Sequence, residues 1–477
     1  MADNEKHPVE LDPEVEKNLP APLANAIKEG KVPADVLKHS HDADEAMKAF
    51  AGNEGQVIEL SEADNKRILR IIDWNLIPIM CIVYGLNFLD KTTLSYASIM
   101  GLIEDINLVN DDYQWLGSMF YFGYIAWEYP TSRLLQILPI GKYSAACVIA
   151  WGLVLSCFAA VENFGGAVAI RFLLGLCESA VTPGFALITS QWYTKREQGL
   201  RTGIWFSFNG VAQIVGGCLA YGIARGAAST GSAIAPWKIV FLVTGLLTMA
   251  MGVIFLFVVP DNQLNARWLK KEDRILAIER IRVNNQGVGN KHFKMYQLLE
   301  ALKDPLTWGI TFYALVADIP NGGITNFFSQ LITSFGYTAE QSLLYGTPGG
   351  AVEIITLVGC GYLGDKFHNR ILVSSSGLIL AMLGVALIVG LPLDNNGGRL
   401  GGYYLTQASA TPFVAFLSLI STNVGICLLD LAFIYWYCKR QNKKKAAIRA
   451  QPGYVKLENQ EFLDLTDREN PEFIYTL

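Results

Sequence analysis

The chain contains 477 residues, of which 51% are hydrophobic and 17% are charged, and its formal net charge is −5. The charged fraction is well below the ~25% of soluble domains, and long apolar runs recur. The sequence therefore predicts an all-α polytopic membrane protein. The charge shows no basic bias, which argues against a nucleic-acid partner. No nucleotide-binding loop is present, so we do not expect an ATP-driven pump. We also expect no enzymatic activity and no cofactor.

Cysteine and histidine placement limits the chemistry further. The eight cysteines have no paired spacing, which supports neither a disulfide framework nor a metal site. The five histidines all lie outside the apolar runs. Proton chemistry at membrane depth is therefore expected to use carboxylates.

The first half of the chain predicts a tail followed by a six-helix bundle. Residues 1–66 are polar, acidic and contain several prolines, which is typical of a disordered cytosolic segment. Apolar runs of about 20 residues, the length that crosses ~30 Å of hydrocarbon, then divide residues 67–260. The predicted spans are 76–101, 115–135, 143–161, 165–190, 203–223 and 237–259.

The second half predicts a charged connection and a shorter bundle. Residues 261–304 form a cytosolic interdomain segment with a surface helix at 266–282, where helical periodicity coincides with mixed charge. Residues 305–438 hold four predicted spans, and residues 439–477 form a second cytosolic tail. The first span of this half is interrupted at 320–323, a break that is tolerated where backbone lines a cavity. The four spans are 308–332, 343–363, 371–391 and 412–437.

Orientation follows from the positive charges. Lysine and arginine residues concentrate in alternate loops and after residue 438, which places those segments in the cytosol by the positive-inside rule. Ten spans then put both termini in the cytosol. We expect a multi-pass protein of the cell membrane that acts as a monomer.

Four charged residues fall at membrane depth. The apolar part of the first span is too short to cross hydrocarbon unless the helix continues through Asp90 and Lys91. The alternative is a helix that ends before this pair, which then forms an interfacial cap. Arg171 and Glu178 are seven residues apart in the fourth span, so they share one helical face. They form either a structural ion pair or a site where the cation receives an anion and the carboxylate exchanges a proton.

Other charged positions in the spans are less informative. Glu128, near the end of the second span, fits a gate or packing contact better than a proton carrier. The orientation of Asp318 is not readable from the sequence. Glu353 follows a glycine pair and fits a structural role, and Asp430 fits packing against the preceding span.

Five segments together carry a family resemblance: NFLDKTTLSYA, RFLLGLCESAVTPGF, WYTKREQGLRTGIWFSFNG, IPNGGITNF and GYLGDKFHNR. They resemble the major facilitator superfamily, and within it the anion:cation symporters of the fungal allantoate permease branch. The last segment resembles the inner-loop gating signature of the superfamily, with Gly361, Asp365, Lys366 and Arg370 in place. The resemblance covers roughly residues 60 to 440.

The resemblance implies a major facilitator fold, in which two six-helix bundles enclose a substrate site and expose it alternately to each side. It also implies proton-coupled uptake of a small organic anion such as allantoate, nicotinate or pantothenate. Asp90 and Glu178 match the carboxylates assigned to proton coupling. The expected substrate-binding residues are Lys91, Arg171, Asn209, Asn321 and Asn326. An exporter of an acidic metabolite, a non-transporting sensor and an inactive short form are the alternatives.

Two departures from the family pattern accompany the resemblance. The loop between the second and third spans lacks the superfamily's aspartate signature. The second bundle has four predicted spans where repeat symmetry predicts six. At Val424 and Gly425 the sequence resembles half of one span joined to half of a later one, with a hairpin of about 50 residues missing. The chain is either a natural short form or the product of a gene-model error.

Overall fold

The structure is a computed structural model that describes residues 61–282, 295–367, 370–407, 436–450 and 474, although some side chains between 296 and 378 are not described. Within these ranges the chain is helical and contains no β-strand. Five of the described segments are long and apolar enough to cross a membrane. Residues 1–60 of the predicted tail and most of the predicted span at 412–437 lie outside the described residues. The predicted tail extended to residue 66, which is wrong at its end, because residues 62–66 already belong to a helix.

The N-terminal half consists of long helices and short connections. The helices are α1 (Glu62–Ser98), α2 (Leu102–Asp105), α3 (Asp112–Ile137), α4 (Ile140–Cys157), α5 (Phe164–Glu178), α6 (Val181–Trp192), α7 (Lys195–Thr230) and α8 (Pro236–Val258). We call the side on which α1 begins the near face, and the side on which it ends the far face.

Helix α1 crosses the whole bundle without a break. It begins where the Ser61 hydroxyl accepts a hydrogen bond from the Asp64 amide (3.1 Å), an N-terminal cap. It continues past Pro78 and through Asp90 and Lys91 to its last residue. The helix therefore extends through the charged pair, and the alternative of an interfacial cap at that point is wrong.

The predicted fourth span is bent in its middle. Helix α5 ends at Glu178 and α6 begins at Val181, although the two together form one 29-residue membrane-crossing segment. Pro183 has no amide hydrogen to donate to the carbonyl four residues earlier, that of Ser179. The Ser179 hydroxyl also bonds back to the Leu176 carbonyl (2.9 Å), a contact that bends helices. The bend follows directly after Glu178.

The connection between the two halves packs on the near face. Helix α9 (Lys271–Arg282) lies within the predicted surface helix. Ala277, Ile278 and Ile281 on it are buried. Arg280 is 1% exposed at its side chain and pairs with Glu197 at the start of α7. The segment is thus anchored to the N-terminal bundle.

The described C-terminal helices are α10 (Met295–Lys303), α11 (Pro305–Ser334), α12 (Ala339–Tyr345), α13 (Thr347–Phe367), α14 (Arg370–Gly390) and α15 (Asn396–Thr406), and residues 436–449 are also helical. Helix α11 is continuous through 320–323, so the predicted interruption is wrong. A proline leaves only one carbonyl without its helical donor, and helix continuity satisfies every other backbone group. Helix α15 was not predicted as a helix because its sequence is weakly apolar. It packs on α14 so closely that a Cβ on Gly402 would lie 2.7 Å from the Gly384 carbonyl oxygen.

The two halves contact each other at the far face. The Ser329 amide donates to the Ser95 hydroxyl (3.2 Å), which joins α11 to α1. The Tyr113 hydroxyl donates to the Asn326 carbonyl (2.7 Å), which joins α3 to α11. The side-chain amide of Gln213 on α7 donates to the Gly346 carbonyl between α12 and α13 (3.0 Å). These hydrogen bonds between the described halves close the far face.

Candidate functional site

Four charged side chains meet inside the N-terminal bundle. Asp90 and Lys91 come from α1, and Arg171 and Glu178 come from α5. Asp90 and Glu178 are 0% exposed and Arg171 is 1% exposed, while the Lys91 side chain keeps 22% exposure. Charged groups at this depth are costly and usually mark a functional site.

Glu178 is paired with Lys91. The Lys91 ammonium lies 2.6 Å from Glu178 Oε1, and the Asn87 amide donates to the same oxygen at 2.7 Å. Lys91 also donates to Asn87 Oδ1 at 2.8 Å, so the lysine and the amide hold each other in place. The other carboxylate oxygen, Oε2, has no hydrogen-bond partner among the described residues.

Asp90 is held by an indole instead of by its neighbour in the chain. Trp151 Nε1 on α4 donates to Asp90 Oδ2 at 2.7 Å, and Oδ1 has no hydrogen-bond partner in the described part of the chain. The Asp90 carboxyl also lies close to that of Glu178. Successive residues of a helix point about 100° apart. Asp90 and Lys91 therefore lie side by side at membrane depth, but Lys91 pairs with Glu178 and Asp90 is bound by Trp151.

Arg171 is buried against backbone and an aromatic ring. Its Nε donates to the Leu116 carbonyl at 3.2 Å, and its guanidinium lies 5.0 Å from the centre of the Phe120 ring. Its Nη1 has no hydrogen-bond partner among the residues described. Seven residues of helix separate Arg171 from Glu178 by roughly 10 Å along the axis. The alternative of a direct ion pair between Arg171 and Glu178 is therefore wrong, since Glu178 pairs with Lys91.

The three asparagines predicted to bind substrate have no described contact with the four charged side chains. Asn326 on α11 is 5% exposed and donates to the Gly322 carbonyl at 2.7 Å. Asn209 on α7 is 7% exposed and is a hydrogen-bonding neighbour of Glu353 on α13. The side chain of Asn321 lies outside the described residues. Asn209 and Asn326 therefore lie near the contact between the two halves.

The inner-loop motif is only partly described. Lys366, near the end of α13, lies with its ammonium 6.0 Å from the centre of the Tyr362 ring. The surroundings of Gly361 and the side chains of Asp365 and Arg370 are not described, so the motif stays a prediction.

Three residues of the charged site were not predicted. Asn87 lies one helical turn before Lys91, so helical spacing alone indicates the contact. Trp151 and Phe120 gave no signal, because an aromatic residue in an apolar span is more often core or lipid-facing. Their role depends on which helices are neighbours.

Relatives of known class match nearly the whole chain. The profile of the Major Facilitator Superfamily matches residues 80–435. The allantoate permease of Saccharomyces cerevisiae is 33% identical over 505 residues, which cover 93% of this chain and 92% of that protein. An uncharacterized transporter of Schizosaccharomyces pombe is 37% identical and covers 88% and 91% of the two chains. A thiamine pathway transporter of Saccharomyces cerevisiae is 30% identical, with 89% and 90% covered.

A solved structure shares the fold. The proton:xylose symporter XylE is 16% identical, covers 81% of this chain and 92% of its own, and superposes with a TM-score of 0.51. The long apolar helices and the buried charged cluster define a polytopic helical transporter. The chain belongs to the major facilitator superfamily, as its motifs, its helices and its relatives agree.

Proposed function

We propose that this transporter moves a small organic anion together with a proton by alternating access, and that Asp90, Lys91, Arg171 and Glu178 couple the two. The supporting observation is the composition of the buried cluster. Two cations and two carboxyl groups meet in a site where three of the four side chains are at most 1% exposed. With all four groups ionised, the formal charge of the cluster is zero.

Charge balance explains how such a cluster couples two ligands. A proton alone makes the cluster positive and an anion alone makes it negative. Net charge in a buried site of low dielectric is costly. Loading both ligands keeps the site neutral, so each ligand favours the other. Arg171 Nη1, which lacks a described hydrogen-bond partner, is the free donor that an anion needs, and a guanidinium fork suits a carboxylate.

The positive charges on the near face indicate which side of the transporter is cytosolic. The near face carries Lys66, Arg67 and Arg70 at one helix start and Lys195 and Arg196 at another, so the positive-inside rule assigns it to the cytosol. The described contacts between the two halves lie at the far face. We therefore interpret the structure as closed to the outside, in the stage at which an imported anion and proton leave toward the cytosol.

The substrate class follows from the relatives and the cations together. One relative is named as a permease for allantoate, which is an anion. In this chain, Lys91 and Arg171 favour an anionic ligand. We propose a carboxylate of the size of allantoate, nicotinate or pantothenate.

The experiment compares two kinds of flux in proteoliposomes. Glu178→Gln should abolish accumulation driven by a pH gradient, because the amide cannot titrate, and should retain counterflow of labelled anion, which needs no net proton movement. Glu162→Gln is the matched control, since Glu162 is an exposed carboxyl in the connection between α4 and α5. Normal pH-driven accumulation by Glu178→Gln would exclude this residue from coupling.

A second candidate is a short form that does not transport. The alignment with the Schizosaccharomyces pombe transporter spans 469 residues, whereas 88% of this chain is about 420 residues, so about 50 aligned positions face gaps in this chain. This difference matches the length of the hairpin that the sequence indicates is missing. Sequencing the transcript across the codons of Val424 and Gly425 tests it, and wild-type counterflow of any of the three carboxylates would exclude the inactive form.

A further inference from the structure

A second buried carboxyl group lies outside the charged cluster, at the contact between the two halves. Glu353, in the second turn of α13, is 7% exposed, and its Oε2 has no hydrogen-bond partner among the described residues. Its neighbour across the contact is the Asn209 side chain of α7.

The two helices approach so closely here that water has little room. A Cβ added to Gly210 of α7 would lie 2.2 Å from the Gly350 carbonyl oxygen of α13. A Cβ added to Gly217 would lie 2.5 Å from the Leu343 carbonyl oxygen. Glu353 is one turn from the first of these contacts. Its environment therefore depends on the two halves staying together along α7 and α13.

The groups that surround Glu353 offer no compensating charge. Helix α7 presents Asn209 and Gln213, which are neutral amides. Helix α15 presents Tyr403, whose hydroxyl accepts from Gln213 at 2.9 Å, and Tyr96 of α1 lies close to this tyrosine. No lysine, arginine or histidine among the described residues pairs with Glu353. An unpaired carboxylate in such a site is costly, whereas a neutral carboxylic acid can share a hydrogen bond with an amide.

We infer that Glu353 is a proton-operated gate residue of the contact between α7 and α13, which must bind a proton before the two halves close around it and loses that proton when they separate. The inference rests on the proposed alternating access. It does not rest on Asp90 or Glu178, since those carboxyls lie inside the N-terminal bundle. Acid on the far side therefore favours closure, and one coupled proton changes the ratio of open to closed molecules by up to about tenfold per pH unit.

Hydrogen–deuterium exchange of the full-length protein in lipid nanodiscs tests the inference. Far-face segments around Ser95, Gln213 and Ser329 are followed at about pH 5 and about pH 8, with labelling times corrected for the pH dependence of chemical exchange. In the wild type, these segments should be more protected at the lower pH. In Glu353→Gln they should be protected equally at both, because the amide mimics the protonated acid. Glu162→Gln should behave as the wild type.

A second variant moves the response in the opposite direction. Asn209→Asp places another carboxyl opposite Glu353, and two adjacent carboxyl groups resist joint ionisation in a closed site. Closure should then require more acid, with far-face protection lost at a pH where the wild type is still protected. This variant keeps the test decisive if Glu353→Gln does not fold.

The outcomes separate this inference from the proposed function. A wild type and a Glu353→Gln variant with the same pH response would overturn the role of Glu353 and leave alternating access intact. A wild type whose far face shows no pH response would overturn the gate. Loss of proton-driven transport in the Glu178→Gln variant has no bearing on either result.

Discussion

The ion pair between Lys91 and Glu178 gives the sharpest prediction for stability. At 2.6 Å the two unit charges attract each other by about 6 kcal/mol at an effective dielectric constant of about 20. Desolvation of the two ions offsets much of this attraction. Lys91→Met removes the attraction but leaves the carboxylate, which is 0% exposed, without its cation. We expect a loss of roughly 3–5 kcal/mol, the cost of breaking a buried pair at one partner.

The double variant separates the pair from simple packing. In Lys91→Met/Glu178→Gln neither member of the pair carries a charge, so no carboxylate is left without its cation, and the Asn87 amide can still donate to the new side-chain oxygen. Most of the lost stability should return, because replacing both members of a buried pair by neutral groups is often nearly neutral. Glu178→Gln alone should cost less than Lys91→Met, since Lys91 keeps 22% exposure and its bond to Asn87.

Thermal unfolding of the four purified proteins provides the measurement. The melting temperature changes by about 2–4 °C per kcal/mol for 150–250 residues and by less for longer chains, so Lys91→Met should lower it by several degrees and by at most about 10 °C. The double-mutant cycle then gives the coupling energy between the two sites. Equal melting temperatures for Lys91→Met and the double variant would show that Glu178 does not depend on Lys91, and would refute the assignment of this ion pair.

Two further predictions concern helix packing and pH. A Cβ at position 175 would lie 2.0 Å from the Phe120 carbonyl oxygen. Gly175→Ala should therefore force α3 and α5 apart and lower the free energy of unfolding by about 1–3 kcal/mol. Gly222→Ala is the control and should not lower it, because no atom lies within 4 Å of the added Cβ. The Arg67 guanidinium holds the pKa of the Asp273 carboxyl below its usual range, so this contact stabilises the fold above about pH 4 and loses its effect as the pH falls through the lowered pKa. The melting-temperature deficit of Arg67→Ala should therefore shrink in acid, and a deficit that is constant with pH would contradict this origin.

The sequence alone determined much of the architecture. The lengths of the apolar runs predicted the long helices, and the shortness of the first run predicted that Asp90 and Lys91 lie at membrane depth. Both results depend on local quantities, because the thickness of hydrocarbon sets how many residues a helix needs. The bend after Glu178 was not predicted, although Pro183 removes a specific helical hydrogen bond.

Other features required the tertiary structure. The partner of Glu178 is Lys91 on another helix, and the partner of Asp90 is Trp151 on a third. Helical periodicity fixes which residues share a face, but it does not fix which face of one helix meets another. For the same reason, Glu353 fitted a structural role in the sequence. Only the close crossing of α7 and α13 put its carboxyl opposite Asn209, at the contact between the two halves, because that position depends on how the helices pack.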